Sequence, residues 1–188
     1  MRQRSTHRWL RAALVTAIAL TLVVGGPTAV AVATTAPVTA VMSPASDAVE
    51  ASSEARALRT STSSMVQRYI DDYSGRLTAA EAVRLPQYKA AAQRNLTSVV
   101  VTTRRLATLV TQGAPRREVV AAGRAAQRAH ARARSVAIDS YEQARALLEP
   151  KLSWIEGLQA LRDYDDMLSR FDAVGDRIDD VVRSYPGA

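Results

Sequence analysis

Leu147-Leu148-Glu149-Pro150-Lys151-Leu152-Ser153 decides the fold, because it divides two segments of about equal length, 115–149 and 150–184, that both carry helical periodicity. After Pro150, Leu161, Tyr164, Leu168, Phe171, Ile178, Val182 and Tyr185 fall on heptad-like core positions, and Gly175 occupies one more. Before it the apolar positions are small, Val119, Ala122, Ala126, Ala129, Ala133 and Val136, and small residues let helices approach closely. A proline inside a helix removes a hydrogen bond and kinks or breaks it, so the two segments form either one kinked helix or an antiparallel hairpin. The junction lacks Gly, Asn or Asp, which favours the kink; the matched lengths favour the hairpin, and the hairpin is adopted. At ~1.5 Å per residue each arm is about 50 Å long.

Upstream of this pair, Gln112-Gly113-Ala114-Pro115 reads as a turn, with glycine placed to end one helix and proline suited to open the next. From Pro86 onward Tyr88, Ala92, Leu96, Val99, Thr103, Leu106 and Val110 recur at spacings of three and four, one apolar stripe on a helix to about Thr111. The run Val99 to Thr103 is β-prone in isolation, but a lone strand has nothing to pair with. Thr78-Ala79-Ala80-Glu81 is a capping box opening a stretch that either stops at Leu85 or kinks at Pro86. A first helix runs from a cap at Ser46 or Asp47 to about Tyr73. Its apolar positions are sparse, and the hydroxyl run Thr60 to Ser64 predicts a weak point or a break. With 8 Gly, 7 Pro and a single Phe in 188 residues, turn-rich β folds are disfavoured. The expected fold is all-α, an elongated antiparallel helical bundle of about four helices with coiled-coil-like packing; a dimeric coiled coil is the alternative.

The N-terminus reads as an export signal. Arg2, Arg4, Arg8 and Arg11 precede the uncharged run Ala12 to Val24, and Gly25-Gly26-Pro27 and Ala31-Val32-Ala33 follow. This divides the chain into a signal peptide, 1–33, a Thr/Ala/Pro tether, 34–46, and one helical domain, 47–188. The apolar run is shorter than the ~20 residues that span a bilayer as a helix, though an uncleaved membrane anchor is the alternative. The expected destination is the medium or the cell envelope by a general secretory route. Only Lys89 and Lys151 are lysines, so nearly all cations are arginine, as in an Ala-, Val- and Arg-rich bacterial protein.

A net charge of +7 invites a nucleic-acid reading, but four of those charges belong to the signal, which leaves 21 minus 18, or +3. Between positions 94 and 134 nine arginines face one acid, Glu118, whereas residues 135–188 hold eleven acids and six cations. In a hairpin these halves neutralise each other along their flanks, Arg116 to Arg134 lying beside Asp165 to Arg183, each exposed pair worth at most ~1 kcal/mol. Arg117, Arg124, Arg128 and Arg132 share one side of their helix at 100° per residue, a stripe that fits an anionic polymer or lipid headgroup. Nucleic acid is not expected, since no aromatics interleave with the arginines.

The search for chemistry finds little. With no Cys, thiol catalysis, disulfides and Cys-ligated zinc are excluded. His130, the single histidine after the signal, lacks a second His or Cys to make a metal site and reads as a surface residue among arginines. Asp71-Asp72, Asp163 with Asp165-Asp166, and Asp179-Asp180 supply carboxylate pairs, but no Mg²⁺ or Ca²⁺ spacing and no aromatic sugar platform accompany them. Trp154, with Ile155 and Leu158, reads as a core anchor. No catalytic, cofactor or metal site is therefore expected. The expected function is non-catalytic, the helical surface being presented to an unknown protein partner or to the chain itself. Binding of anionic polymer or lipid through Arg117, Arg124, Arg128 and Arg132 is the first alternative, and a carboxylate-dependent hydrolase the second.

Overall fold

The computed structural model describes residues 43–186; the expected signal, most of the tether and the cleavage position lie outside them. Within this range the fold is all-α, with four long helices packed as an antiparallel up-and-down bundle. Helix α1 spans Pro44–Tyr73 and is followed by a one-turn α2, Ala79–Ala82; α3 spans Arg84–Thr111, α4 Arg116–Leu148 and α5 Trp154–Ser184. Helix α1 packs against α3 and α5, and α4 packs against the same two, which makes a closed square.

Local chemistry sets each boundary. The Ser43 side chain accepts from the Ser46 amide and Pro44 stands in the first turn, where its missing N–H costs nothing, so α1 begins before the expected Ser46 or Asp47. The last three tether residues are thus the first turn of the bundle. Helix α1 also runs unbroken through Thr60 to Ser64, contrary to expectation. There Ser61 donates back to the Leu58 carbonyl and Ser63 accepts from Gln93 of α3, so two hydroxyls are absorbed within the bundle. The expected capping box at Thr78 and Glu81 opens α2, and the break falls at Val83, which leaves Pro86 in the first turn of α3. At the α3–α4 turn Gly113 adopts φ +65°; its amide donates to the Val110 carbonyl and that of Ala114 to Leu109, a glycine-dependent helix stop.

Pro150 is a hairpin junction. A 3₁₀ turn, Glu149–Lys151, follows α4, and Ser153 then caps α5 with Glu156 completing a capping box. The sequence reading missed Ser153-Trp154-Ile155-Glu156, the signal that takes the place of a glycine turn. Gln127 donates to Asp179, Arg134 pairs with Asp172 and Tyr141 donates to the Ala160 carbonyl, so α4 and α5 run antiparallel along most of their length.

The main core draws on all four helices: Ala55 and Leu58 of α1, Leu96, Val99, Leu106 and Val110 of α3, Val119, Ala126 and Ala133 of α4, and Phe171, Val174, Ile178 and Val181 of α5. From Ala92 to Val110 the predicted α3 stripe is buried throughout, while Tyr88 is half-buried. On α5 the core stripe is Met167, Phe171, Val174, Ile178, Val181 and Tyr185, whereas Leu168 and Val182 are half-buried and Leu161 is exposed. The two phases share every seventh residue, and Gly175 and Val182 turn instead to the flank of α4.

Thr62 is 4% exposed and its hydroxyl has no hydrogen-bond partner. A buried unpaired hydroxyl carries its full desolvation cost, so Thr62→Val, nearly the same shape, should stabilise by ~1 kcal/mol. A higher denaturation midpoint at unchanged m is the expected outcome; a lower midpoint would show that the hydroxyl is satisfied after all.

Candidate functional site

The expected arginine stripe lies on the outward face of α4. Val119, Ala122, Ala126 and Ala133 turn inward, and Arg117, Arg124, Arg128 and Arg132 emerge on the opposite side, exposed and without an ion pair among the described residues. Along the axis they cover about 22 Å. Helix α3 contains no acid and exposes Arg94, Arg104 and Arg105, so the α3–α4 hairpin carries a strongly basic surface.

The expected neutralisation of α4 by α5 is thin. Among the described residues only Arg134 forms an ion pair across the hairpin, with Asp172 at 3.3 Å, the two side chains being 37% and 63% exposed. Of the α5 acids, Asp163 turns to α1, whereas Asp172 and Asp179 meet Arg134 and Gln127 of α4. Arg177 of α5 sits among Asp47, Glu50 and Glu54 of α1 at 3.7, 3.1 and 3.3 Å, and Asp163 accepts from Tyr69 at 2.7 Å and from Arg68. Burial first, and then the hydrogen bond to Asp163 and that carboxylate's charge, push the Tyr69 phenol far above its ordinary range. The result is a bundle with a basic α3–α4 side and an acid-rich α1–α5 side.

His130 is an interface residue of α4 and α5, not the surface residue expected. Its Nε2–H donates to the Phe171 carbonyl at 2.8 Å, and Gly175 makes room for the ring. A Cβ on Gly175 would lie 2.9 Å from the imidazole Cε1. No group of three metal-ligating side chains occurs among the described residues, and no described helix is long and apolar enough to cross a membrane. Of the carboxylate pairs, Asp71, Asp72, Asp165, Asp166, Asp179 and Asp180 are exposed, and Asp163 is held by Arg68, Tyr69 and Gln159.

The largest departure from expectation is at the start of α5. Trp154 is 79% exposed and Ile155 76%, with Leu158 and Leu161 at 38% and 42%, so Trp154 is no core anchor. The capping box starts the helix at Trp154, and at 100° per residue Trp154, Leu158 and Leu161 are centred about 120° around the helix from the inward Ala160, Tyr164 and Met167. Tyr141 of α4 stacks on Tyr164, ring centroids 4.0 Å apart, and closes the inner side without using these apolar residues. Beneath them lies an apolar cavity of about 70 Å³ lined by Met65, Tyr69, Tyr88, Tyr141, Leu148 and Met167. It is far smaller than the ~300–1,000 Å³ of ligand pockets and marks loose packing at this end of the bundle.

The same end is tied by two crossed ion pairs between its loops. Arg76, after α1, grips the capping-box Glu156 of α5 at 2.9 Å, and Lys151, before α5, grips the capping-box Glu81 of α2 at 2.7 Å. The guanidinium of Arg76 holds the Glu156 carboxyl down to about 2, and the Lys151 ammonium does the same for Glu81, the capping amides assisting in both. Both values are depressed on folding from an ordinary 4.5, so the contribution of this clasp is complete above about pH 4.5 and is lost as pH falls toward about 2. A Glu81→Gln, Glu156→Gln double variant should therefore lose less stability than the parent between those pH values; equal losses would remove the clasp from the account.

Comparison with known proteins finds no match, neither a family model nor a curated protein nor a solved structure.

Proposed function

We propose that this is an exported, non-catalytic helical-bundle protein that works by presenting the outward face at the start of α5 to another protein chain. The observation that carries the reading is the exposure of Trp154, Ile155, Leu158 and Leu161 together on two helical turns. Soluble chains seldom leave such large apolar groups side by side in water unless a partner covers them, and tryptophan is enriched at the centres of protein interfaces. The loops at this end of the bundle are tied to one another by the two crossed ion pairs. A photoreactive residue at position 155 should give protein adducts in cells that make the chain, and one at position 121, on the basic side, should not. Adducts from 121 alone would contradict the reading.

A second reading rests on Arg117, Arg124, Arg128 and Arg132, which are exposed and unpaired among the described residues. It makes the α4 stripe a site for anionic polymer or lipid, with each arginine worth ~1 kcal/mol near an anionic surface. Salt-sensitive sedimentation with anionic vesicles, weakened more than tenfold by replacing all four with glutamine, is the expected result. Unchanged binding by that variant would end this reading.

A further inference from the structure

We infer that the α3–α4 side of the bundle binds one linear polyanion, laid along the outward seam between these helices, with Arg94 and Arg105 of α3 gripping it together with the α4 stripe. The inference rests on the second reading above, in which the stripe takes an anionic ligand, and adds the class of ligand and the other half of its site. Charge is divided by side: α3 and α4 carry twelve cations and three acids, whereas α1 and α5, the opposite side of the square, carry seven cations and thirteen acids. No acid occurs in α3, nor between Val119 and Ile138 of α4. Contacts with the other helices fix where the arginines point. Lys89 and Gln93 of α3 reach Gln67 and Ser63 of α1, and at 100° per residue Arg94 and Arg105 lie about 100–120° around the outer side from Gln93, on the shoulder next to α4. On α4, Gln127 and Arg134 reach α5, and Arg128 and Arg132 lie about 100–160° around the outer side from them, toward α3. All four arginines are exposed, and none has an ion pair among the described residues.

The arrangement suits a long, thin ligand. Measured from the α3–α4 turn at ~1.5 Å per residue, Arg94 and Arg132 stand at the same height, roughly 25 Å, and Arg105 and Arg124 at roughly 9–12 Å. The residues between the two rows, Ser98, Thr102, Ala121 and Ala125, are small, so a chain lying against them is within reach of both. A short anion meets one or two of these arginines, whereas a chain of repeated charges meets both rows and releases a counterion at each contact. Other occupants fit less well. A membrane-surface helix needs Trp, Phe or Leu to enter the headgroup boundary, and the largest exposed apolar group on α3 and α4 is Val101. No aromatic residue lies between positions 89 and 140, so nucleic-acid bases have nothing to stack on. The acid-rich side of another copy exposes Arg162, Arg170 and Arg183 among its carboxylates, and these would be repelled.

Calorimetric titration of the full-length chain with long-chain inorganic polyphosphate, tripolyphosphate and phosphatidylglycerol vesicles tests this. The long chain should bind at least tenfold more tightly than tripolyphosphate, and its affinity should fall steeply with added salt. An Arg94→Gln, Arg105→Gln double variant should weaken that binding at least fivefold while its circular-dichroism spectrum stays helical. An Arg162→Gln, Arg170→Gln double variant, which removes the same charge from α5, should change it less than twofold. Tripolyphosphate binding as tightly as the long chain overturns the inference in favour of a site for a single small anion. Vesicles bound while polyphosphate is not also overturn it, in favour of a membrane surface. If replacing the four α4 arginines weakens binding but the α3 double variant does not, the inference fails and the second reading stands. If neither polyphosphate nor vesicles bind, both fail.

Discussion

Replacing Phe171 by alanine is expected to cost ~3–5 kcal/mol of folding stability, the range for removing a buried aromatic ring. Phe171 is fully buried in the main core and is the single phenylalanine of the chain. The cost should fall in the upper part of that range because the neighbouring helix cannot close the gap. At this level of the bundle the inward residues of α4 are Ala126, Ala133 and Ala137, whose methyls have no length to reach into a void. His130 cannot fill it easily either, since its Nε2–H is held by the Phe171 carbonyl and its ring stands tilted beside the phenyl at 5.7 Å. For a domain of this size the loss lowers the melting temperature by roughly 10–15 °C. Leu161→Ala, on the exposed strip of the same helix, should cost under ~1 kcal/mol. Equal costs at the two positions would mean that the assigned core phase of α5 is wrong.

The second large effect concerns two glycines that sit within helices, where alanine is intrinsically better by ~1 kcal/mol. At Gly123 an added Cβ would stand 2.1 Å from Cγ2 of Val182, far inside contact distance. Valine is branched at Cβ and stiff about its first torsion, so relief requires α4 and α5 to separate. Such overpacking costs ~1–3 kcal/mol, which outweighs the propensity gain, and Gly123→Ala should destabilise by ~1–2 kcal/mol. Gly157 has nothing within 4 Å of the same added atom, so Gly157→Ala should stabilise by ~0.5–1 kcal/mol. Urea denaturation of the two single variants should give midpoint shifts of opposite sign. A stabilised Gly123→Ala variant would contradict the close approach of α4 to α5.

The small residues that make this approach tight were legible in the sequence, as was most of the architecture. The α3 stripe from Ala92 to Val110 has an unambiguous spacing, and Gly113 before Pro115 can only be a stop and a start. Pro150 was harder because the turn uses no glycine; the amides of Ser153 and Glu156, each donating to the other's side-chain oxygen, do that work. On α5 two heptad phases share Phe171, Ile178 and Tyr185, and only packing against α4 chooses Val174 and Val181 over Gly175 and Val182 as the central residues.

The candidate surfaces were less legible for a related reason. A tryptophan near the start of a helix reads as a core residue until the first residue of that helix is fixed, and that depended on the missed capping box. The arginine stripe was visible from spacing alone, but its neighbours were not. Opposite charges on α4 and α5 suggested mutual neutralisation, whereas Arg177 and Asp163 turn toward α1 and leave Arg117, Arg124, Arg128 and Arg132 unpaired among the described residues. Net charge by segment cannot reveal which flank a side chain occupies.

The central claim is that the first turns of α5 leave a large apolar face open to water, and Trp154 itself reports on it. In a Trp9→Phe chain it is the single indole. At high dilution its fluorescence should be that of a water-exposed indole, freely quenched by iodide, and the emission should shift to the blue as the face becomes covered by an added partner. Blue-shifted emission that resists iodide even at high dilution would place Trp154 inside its own bundle and contradict the account.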